Sequence, residues 1–163
     1  MTLEDVIAHV GISKPTLYQH FRSKEELVLS VVMRKLKEVR AFIAELDSDE
    51  MASQRLEKLI RWITDKRFQQ PSLRIREFIH HIKPANESES PCFVVLRCLD
   101  QDVLDLVVEG QGDGSIRKDV PAPVLSQTLM SSIRDDGYDA LLREGKVTVS
   151  EVTEGLIQLM RPY

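Results

Sequence analysis

Residues 13–20, Ser-Lys-Pro-Thr-Leu-Tyr-Gln-His, gather two hydroxyls, an ammonium, a phenol, a carboxamide and an imidazole within eight positions. Such groups suit recognition more than bond-making. Hydroxyls and ammonium groups donate to phosphate oxygens, and a lysine such as Lys14 can donate to guanine O6 and N7 in a major groove. The partners that catalysis needs are missing. No nucleophile–base spacing, phosphate-binding glycine loop or metal cluster stands out in the sequence. Gly110, Gly112 and Gly114 follow no strand and read as a loop rather than a nucleotide site. Glu77 and His81 lie four apart on one helical face, but two candidate ligands fall short of the three or four that zinc takes. The expectation is a protein that is not an enzyme and that uses neither cofactor nor metal.

Position along the chain shows how the donor cluster is held. Thr2 can cap a short helix over 3–9, with Glu4 and Asp5 in its first turn, and Gly11 ends it. Ser13 caps a second helix with Pro15 in its first turn, where a missing N–H costs little. Ile7, Val10, Ile12, Leu17 and Phe21 are spaced to form a small core between the two helices. Lys14, Thr16, Tyr18, Gln19 and His20 are left on or near the outside. Two short helices meeting at a glycine-containing turn make a helix-turn-helix, whose second helix can enter a major groove. Ser23 then caps a long helix, with Glu26 three residues on as a capping box.

Beyond the front end the periodicity is helical throughout, with no strand-like alternation. Leu27, Val28, Val31, Val32, Leu36, Val39, Phe42, Ile43 and Leu46 form one stripe that runs to the acidic linker 47–50. Leu56, Leu59, Ile60 and Ile63 mark a helix closed by Pro71. Residues 73–82 read as another, stopped by Pro84, and 93–108 as a further one after a polar loop. The segment 109–119 reads as a loop. Residues 121–144 and 149–161 read as the last two helices, split at Gly145. The fold class expected is all-α: a helix-turn-helix head over 1–27 and a further helical domain over 28–163.

The 163 residues carry 22 Lys/Arg and 26 Asp/Glu, a net charge of −4. The acid excess is not uniform. Residues 1–46 hold seven basic and six acidic side chains, against 15 and 20 in the remainder. The front is therefore mildly basic, which permits nucleic-acid binding without requiring it. Acids stand at the N-terminus where a secretory signal has bases, and no apolar stretch is long enough to span a bilayer. A cytoplasmic protein without membrane contact is expected. Cys92 and Cys98 lie six apart, about 600° around a helix, so they point away from each other and read as two small buried side chains.

The run Val6-Ile7-Ala8, then Val10 through Phe21, then Ser23-Lys24-Glu25-Glu26-Leu27 resembles the DNA-binding signature of tetracycline-repressor-type (TetR-family) transcriptional regulators. Gly114-Ser115-Ile116-Arg117-Lys118-Asp119 resembles the segment that precedes that family's last two helices. The resemblance implies a repressor that binds double-stranded operator DNA as a homodimer and responds to a small-molecule effector, with 28–163 as its helical ligand-sensing and dimerisation domain. Thr2 would touch a phosphate, and Ser13, Lys14, Pro15 and Thr16 would lie nearest the bases. Tyr18 and His20 would contact backbone phosphates and Lys24 would clamp another. The family carries one more helix ahead of this motif, which this sequence does not contain. A small-molecule-binding or dimerisation module that no longer binds DNA is the alternative.

Two further sets of residues take meaning from the same resemblance. Leu125, Leu129, Ile133, Leu141, Val152, Leu156 and Leu159 read from the residues alone as intramolecular core. The resemblance pairs the two helices that carry them with a two-fold mate, Gly137 allowing close approach. Trp62, Phe68, Phe78, His81 and Phe93, with His80, mix apolar walls and polar points as a ligand site does. Each of them is equally at home as an ordinary core or surface residue.

Overall fold

Leucine, valine and isoleucine at three- and four-residue steps build helices that bury one face each. The computed structural model describes residues 13–69, 91–134 and 137–162. Those residues form the helices α1 (Lys14–His20), α2 (Lys24–Ala44), α3 (Ala52–Gln69), α4 (Pro91–Asp113), α5 (Ala122–Arg134), α6 (Gly137–Arg143) and α7 (Val149–Gln158). No strand occurs among the described residues. The expected helices over 3–9 and 73–82 lie outside them.

Helix α4 is the hub. It packs against α2, α3 and α5, while α3 also meets α2 and α7. The shared core joins Val32 and Leu36 of α2, Leu56, Leu59 and Ile60 of α3, and Leu99, Val103 and Val107 of α4. Leu125, Leu129 and Met130 of α5 and Val152, Leu156 and Ile157 of α7 complete it. Each such side chain contributes about 1.5–3 kcal/mol by leaving water. Ion pairs run along the rim of the same contacts: Arg40–Asp102 at 2.9 Å between α2 and α4, and Arg55–Glu109 and Arg134–Asp100 on the other sides of α4.

One sequence expectation is corrected. The segment 109–119 is not wholly a loop, because α4 continues to Asp113 with Gly110 and Gly112 helical. Gly110 is needed there for its missing side chain. The chain turns at Gly114, in the left-handed region at φ 81°, and folds Ile116 back onto α4. A Cβ on Gly110 would lie 2.5 Å from Ile116 Cδ1. Ile116 N donates to Gly110 O at 2.8 Å, and Gln111 Nε2 donates to the carbonyls of Arg117 and Val120, both at 2.7 Å. The returning turn also reaches α3, where Ser53 N donates to Ser115 Oγ at 3.4 Å.

The stretch expected as one helix over 121–144 is helical over Ala122–Arg134 and Gly137–Arg143, and residues 135 and 136 between them lie outside the described residues. The break at Gly145 is as expected. Gly145 has φ 67°, its N–H donates to Leu142 O, and Lys146 N donates to Leu141 O. This pair of bonds closes a helix end around a left-handed glycine. Thr148 then caps α7 reciprocally with Glu151, the Thr148 hydroxyl accepting from Glu151 N and Glu151 Oε2 from Thr148 N.

Candidate nucleic-acid interface

Helix α1 starts where Ser13 Oγ accepts the N–H of Thr16 at 3.2 Å, the expected cap. The two hydroxyls also meet at 2.7 Å. Seven residues give α1 a length of about 10 Å, which fits a major groove about 12 Å wide. Phe21 is half-buried and ends the helix against the protein. The chain turns through residues 21–23, and Ser23 Oγ accepts Glu26 N at 3.1 Å to open α2. Glu26 reaches back not to the capping residue but to Arg22 N, at 2.6 Å. The tight turn and this double tie hold α1 against the start of the long helix.

The outward face of α1 carries Pro15, Tyr18, Gln19 and His20, all exposed, with Tyr18 at 44%. Ser13 is exposed and Thr16 half-buried. The structure thus brings Ser13, Pro15, Thr16, Tyr18 and His20 onto one short helix and its cap. Arg22, which the sequence reading passed over, is exposed in the same turn. A basic residue midway between His20 and Lys24 was the available signal. Thr2 and the side chains of Lys14 and Lys24 lie outside the described residues, as do Ile7, Val10 and Ile12.

The residues expected to line a ligand site are only partly described. Trp62 is half-buried on α3 and stacks on Phe42 of α2, centroids 4.8 Å apart and planes 13° from parallel. Phe93 is half-buried near the start of α4. Phe78, His80, His81 and the side chain of Phe68 lie outside the described residues, as does the side chain of Cys92. Among the described residues no group of three or more His, Cys, Asp or Glu could hold a metal, and no helix is long and apolar enough to cross a membrane.

The residues expected at a dimer contact fall into two groups. Leu125, Leu129, Ile133, Val152 and Leu156 are at most 9% exposed inside this subunit's own core. Leu141 is half-buried, whereas Gly137 and Leu159 are exposed, Leu159 at 39%. The outer face of α5 presents Val124, Gln127, Thr128 and Ser131, and that of α7 presents Glu151, Gly155 and Gln158 beside Leu159.

Residues 1–31 match the model of a family described as bacterial regulatory proteins, tetR family. That match makes residues 1–31 similar to the head of that family. The fold behind it is the TetR fold, shared with solved structures across nearly the whole chain. The TetR-family protein CprB of S. coelicolor A3(2) aligns with a TM-score of 0.74 at 21% identity, over 100% of this chain and 79% of that one. FadR of Bacillus subtilis, a transcriptional regulator solved with stearoyl-CoA, aligns at 0.72 and 14% identity, over 98% and 86%. A gamma-butyrolactone receptor described as ArpA-like aligns at 0.69 and 19%, over 99% and 78%. No curated protein matches the chain in sequence. The tetR match is confined to the front end of the chain, and the solved structures, at 14–21% identity, show the fold.

Proposed function

We propose that the chain is a ligand-responsive transcriptional repressor that binds operator DNA as a homodimer through α1. The observation that carries this reading is the exposed row Pro15, Tyr18, Gln19 and His20 on a helix capped by Ser13, inside the segment that matches the tetR family. In this reading Ser13, Lys14, Pro15 and Thr16 lie nearest the base edges. Thr2, Tyr18, His20 and Lys24 hold phosphates, and Arg22 joins them. Phosphate contacts supply affinity and register, and base contacts supply sequence preference.

One head contacts few phosphates, and two heads on a symmetric pair reach half-sites about 34–36 Å apart or a multiple of that. The partner-facing surface is the outer face of α5 and α7, because Leu125, Leu129 and Leu156 are already buried within the subunit. The effector binds among α2, α3 and α4, with Trp62, Phe68, Phe78, His81 and Phe93 as lining. It acts by favouring the form that does not fit DNA, so its coupling equals its differential affinity for the two forms. The relatives that support a small-molecule effector are FadR, solved with stearoyl-CoA, and the gamma-butyrolactone receptor.

The test is a gel-shift of the intact chain on the DNA upstream of its own coding sequence, with Tyr18→Ala beside it. A discrete shifted band that Tyr18→Ala weakens on every sequence supports the reading. A chain that folds and dimerises but shifts no duplex would leave a ligand-binding module in place of a repressor.

A further inference from the structure

Helices α3 and α7 share a buried polar contact that the core does not require. Thr64 is 2% exposed and Thr153 6%, and their hydroxyls meet at 2.9 Å across the helix interface. Thr64 Oγ1 also donates to Ile60 O at 2.8 Å, and Thr153 Oγ1 lies 2.8 Å from Val149 O. Two hydroxyls have two protons. With the Thr64 proton on Ile60 O, Thr153 donates to Thr64; with the Thr153 proton on Val149 O, Thr64 donates to Thr153. Either arrangement makes one bond between helices and leaves neither hydroxyl unsatisfied. Three positions before Thr64 and one after Thr153, Arg61 Nη1 donates to Glu154 Oε1 at 2.6 Å, while Arg61 also holds Glu57 of its own helix at 2.8 Å.

Both contacts specify the same axial setting. A slip of α7 by four residues would set Val149 or Ile157 opposite Thr64 and Ser150 or Gln158 opposite Arg61, so that no hydroxyl would face Thr64 in the core and no carboxylate would face Arg61. The three-residue slip that would bring Ser150 and Glu151 there would put the carboxylate of Glu154 in the buried place of Ile157. The apolar neighbours Leu156 and Ile157 cannot discriminate in this way, because burial is not directional. We propose that Thr64–Thr153 and Arg61–Glu154 key α3 and α7 into one rigid unit, so that a movement of α3 reaches α7 without slip. Helix α3 has the Phe42–Trp62 stack against α2 on one side and this keyed seam on the other. If the regulatory reading above holds, the unit links the helix leading to the head with the helix facing a partner. The keying itself does not depend on that reading.

The test is a double-mutant cycle in the full chain: Thr64→Val, Thr153→Val and both together, followed by denaturation and amide hydrogen exchange, without DNA or effector. Each Val leaves the other hydroxyl bonded to its own helix, so each substitution removes only the hydrogen bond between the helices. The denaturation midpoint should fall in both single variants and at least as far in the double one, which also loses the remaining bond to its own helix. In the single variants α7 amides should exchange about five-fold faster than in the wild type, the size of one net hydrogen bond. Thr153→Ser, which keeps the hydroxyl, should restore α7 protection relative to α3. A midpoint unchanged by either Val, or α7 protection unchanged by Val or not restored by Ser, would show that the threonines only fill space.

Discussion

Tyr18 and Lys24 answer different questions about the head. A lysine that neutralises one phosphate releases about 0.9 of a counterion, so Lys24→Ala should lower the log–log salt slope of DNA binding by about one. The phenol of Tyr18 has no charge to exchange. Tyr18→Phe should weaken binding to all duplexes while leaving that slope unchanged, as anisotropy titrations at several salt concentrations would show. An unaltered affinity for both variants would remove them from the phosphate contacts. In α7, Glu151 is held below its ordinary value of 4.5 by the Thr148 N–H and then the Thr148 hydroxyl. A carboxylate lowered in the folded state stabilises it above the unfolded pKa and ceases to do so as pH falls through the folded pKa. Thr148→Ala should therefore lower stability near neutral pH by removing the cap. The gap from wild type should narrow in acid, below the ordinary glutamate range. A gap independent of pH in urea melts would deny the capping carboxylate its role.

At the scale of the elements, two glycines two positions apart on α4 should behave oppositely. Gly112 has open space where a Cβ would go, and Gly112→Ala should stabilise by up to about 1 kcal/mol through helix propensity. Gly110→Ala drives a methyl into Ile116, which is fully buried. Overpacking of that kind costs about 1–3 kcal/mol and outweighs the propensity gain. Thermal melts of the two variants moving in the same direction would refute the clasp between α4 and its returning turn. The same glycines mark where sequence reading reached its limit. Helices α2, α3 and α7 were legible because stripes such as Leu56, Leu59 and Ile60, and caps such as Ser23, are local signals. Gly110 and Gly112 look like loop residues until Ile116, a non-local neighbour, explains the first of them. Helix α1 was legible for the same local reasons, whereas the Thr64–Thr153 contact joins residues 89 apart that no periodicity links.

Over the whole molecule, inner and outer faces of the last helices have separate uses. Leu129, 1% exposed, is core, and Leu129→Ala should cost about 2–5 kcal/mol of stability. Val124 and Leu159 are 54% and 39% exposed on the outer faces. Val124→Asp with Leu159→Asp should leave the fold intact by circular dichroism and yield a monomer by light scattering. A double variant that stays dimeric would move the contact elsewhere. In the proposed dimer, pairing would double the number of phosphates engaged and fix the distance between two copies of α1.

The measurement that reaches the centre of this account is the equilibrium affinity of the intact protein for duplex DNA from its own promoter as salt rises from about 50 to 200 mM. A symmetric pair of heads making six or more phosphate contacts should lose about a thousand-fold in affinity over that range, with two subunits bound per duplex. An affinity that barely responds to salt, or one subunit per duplex, would contradict it.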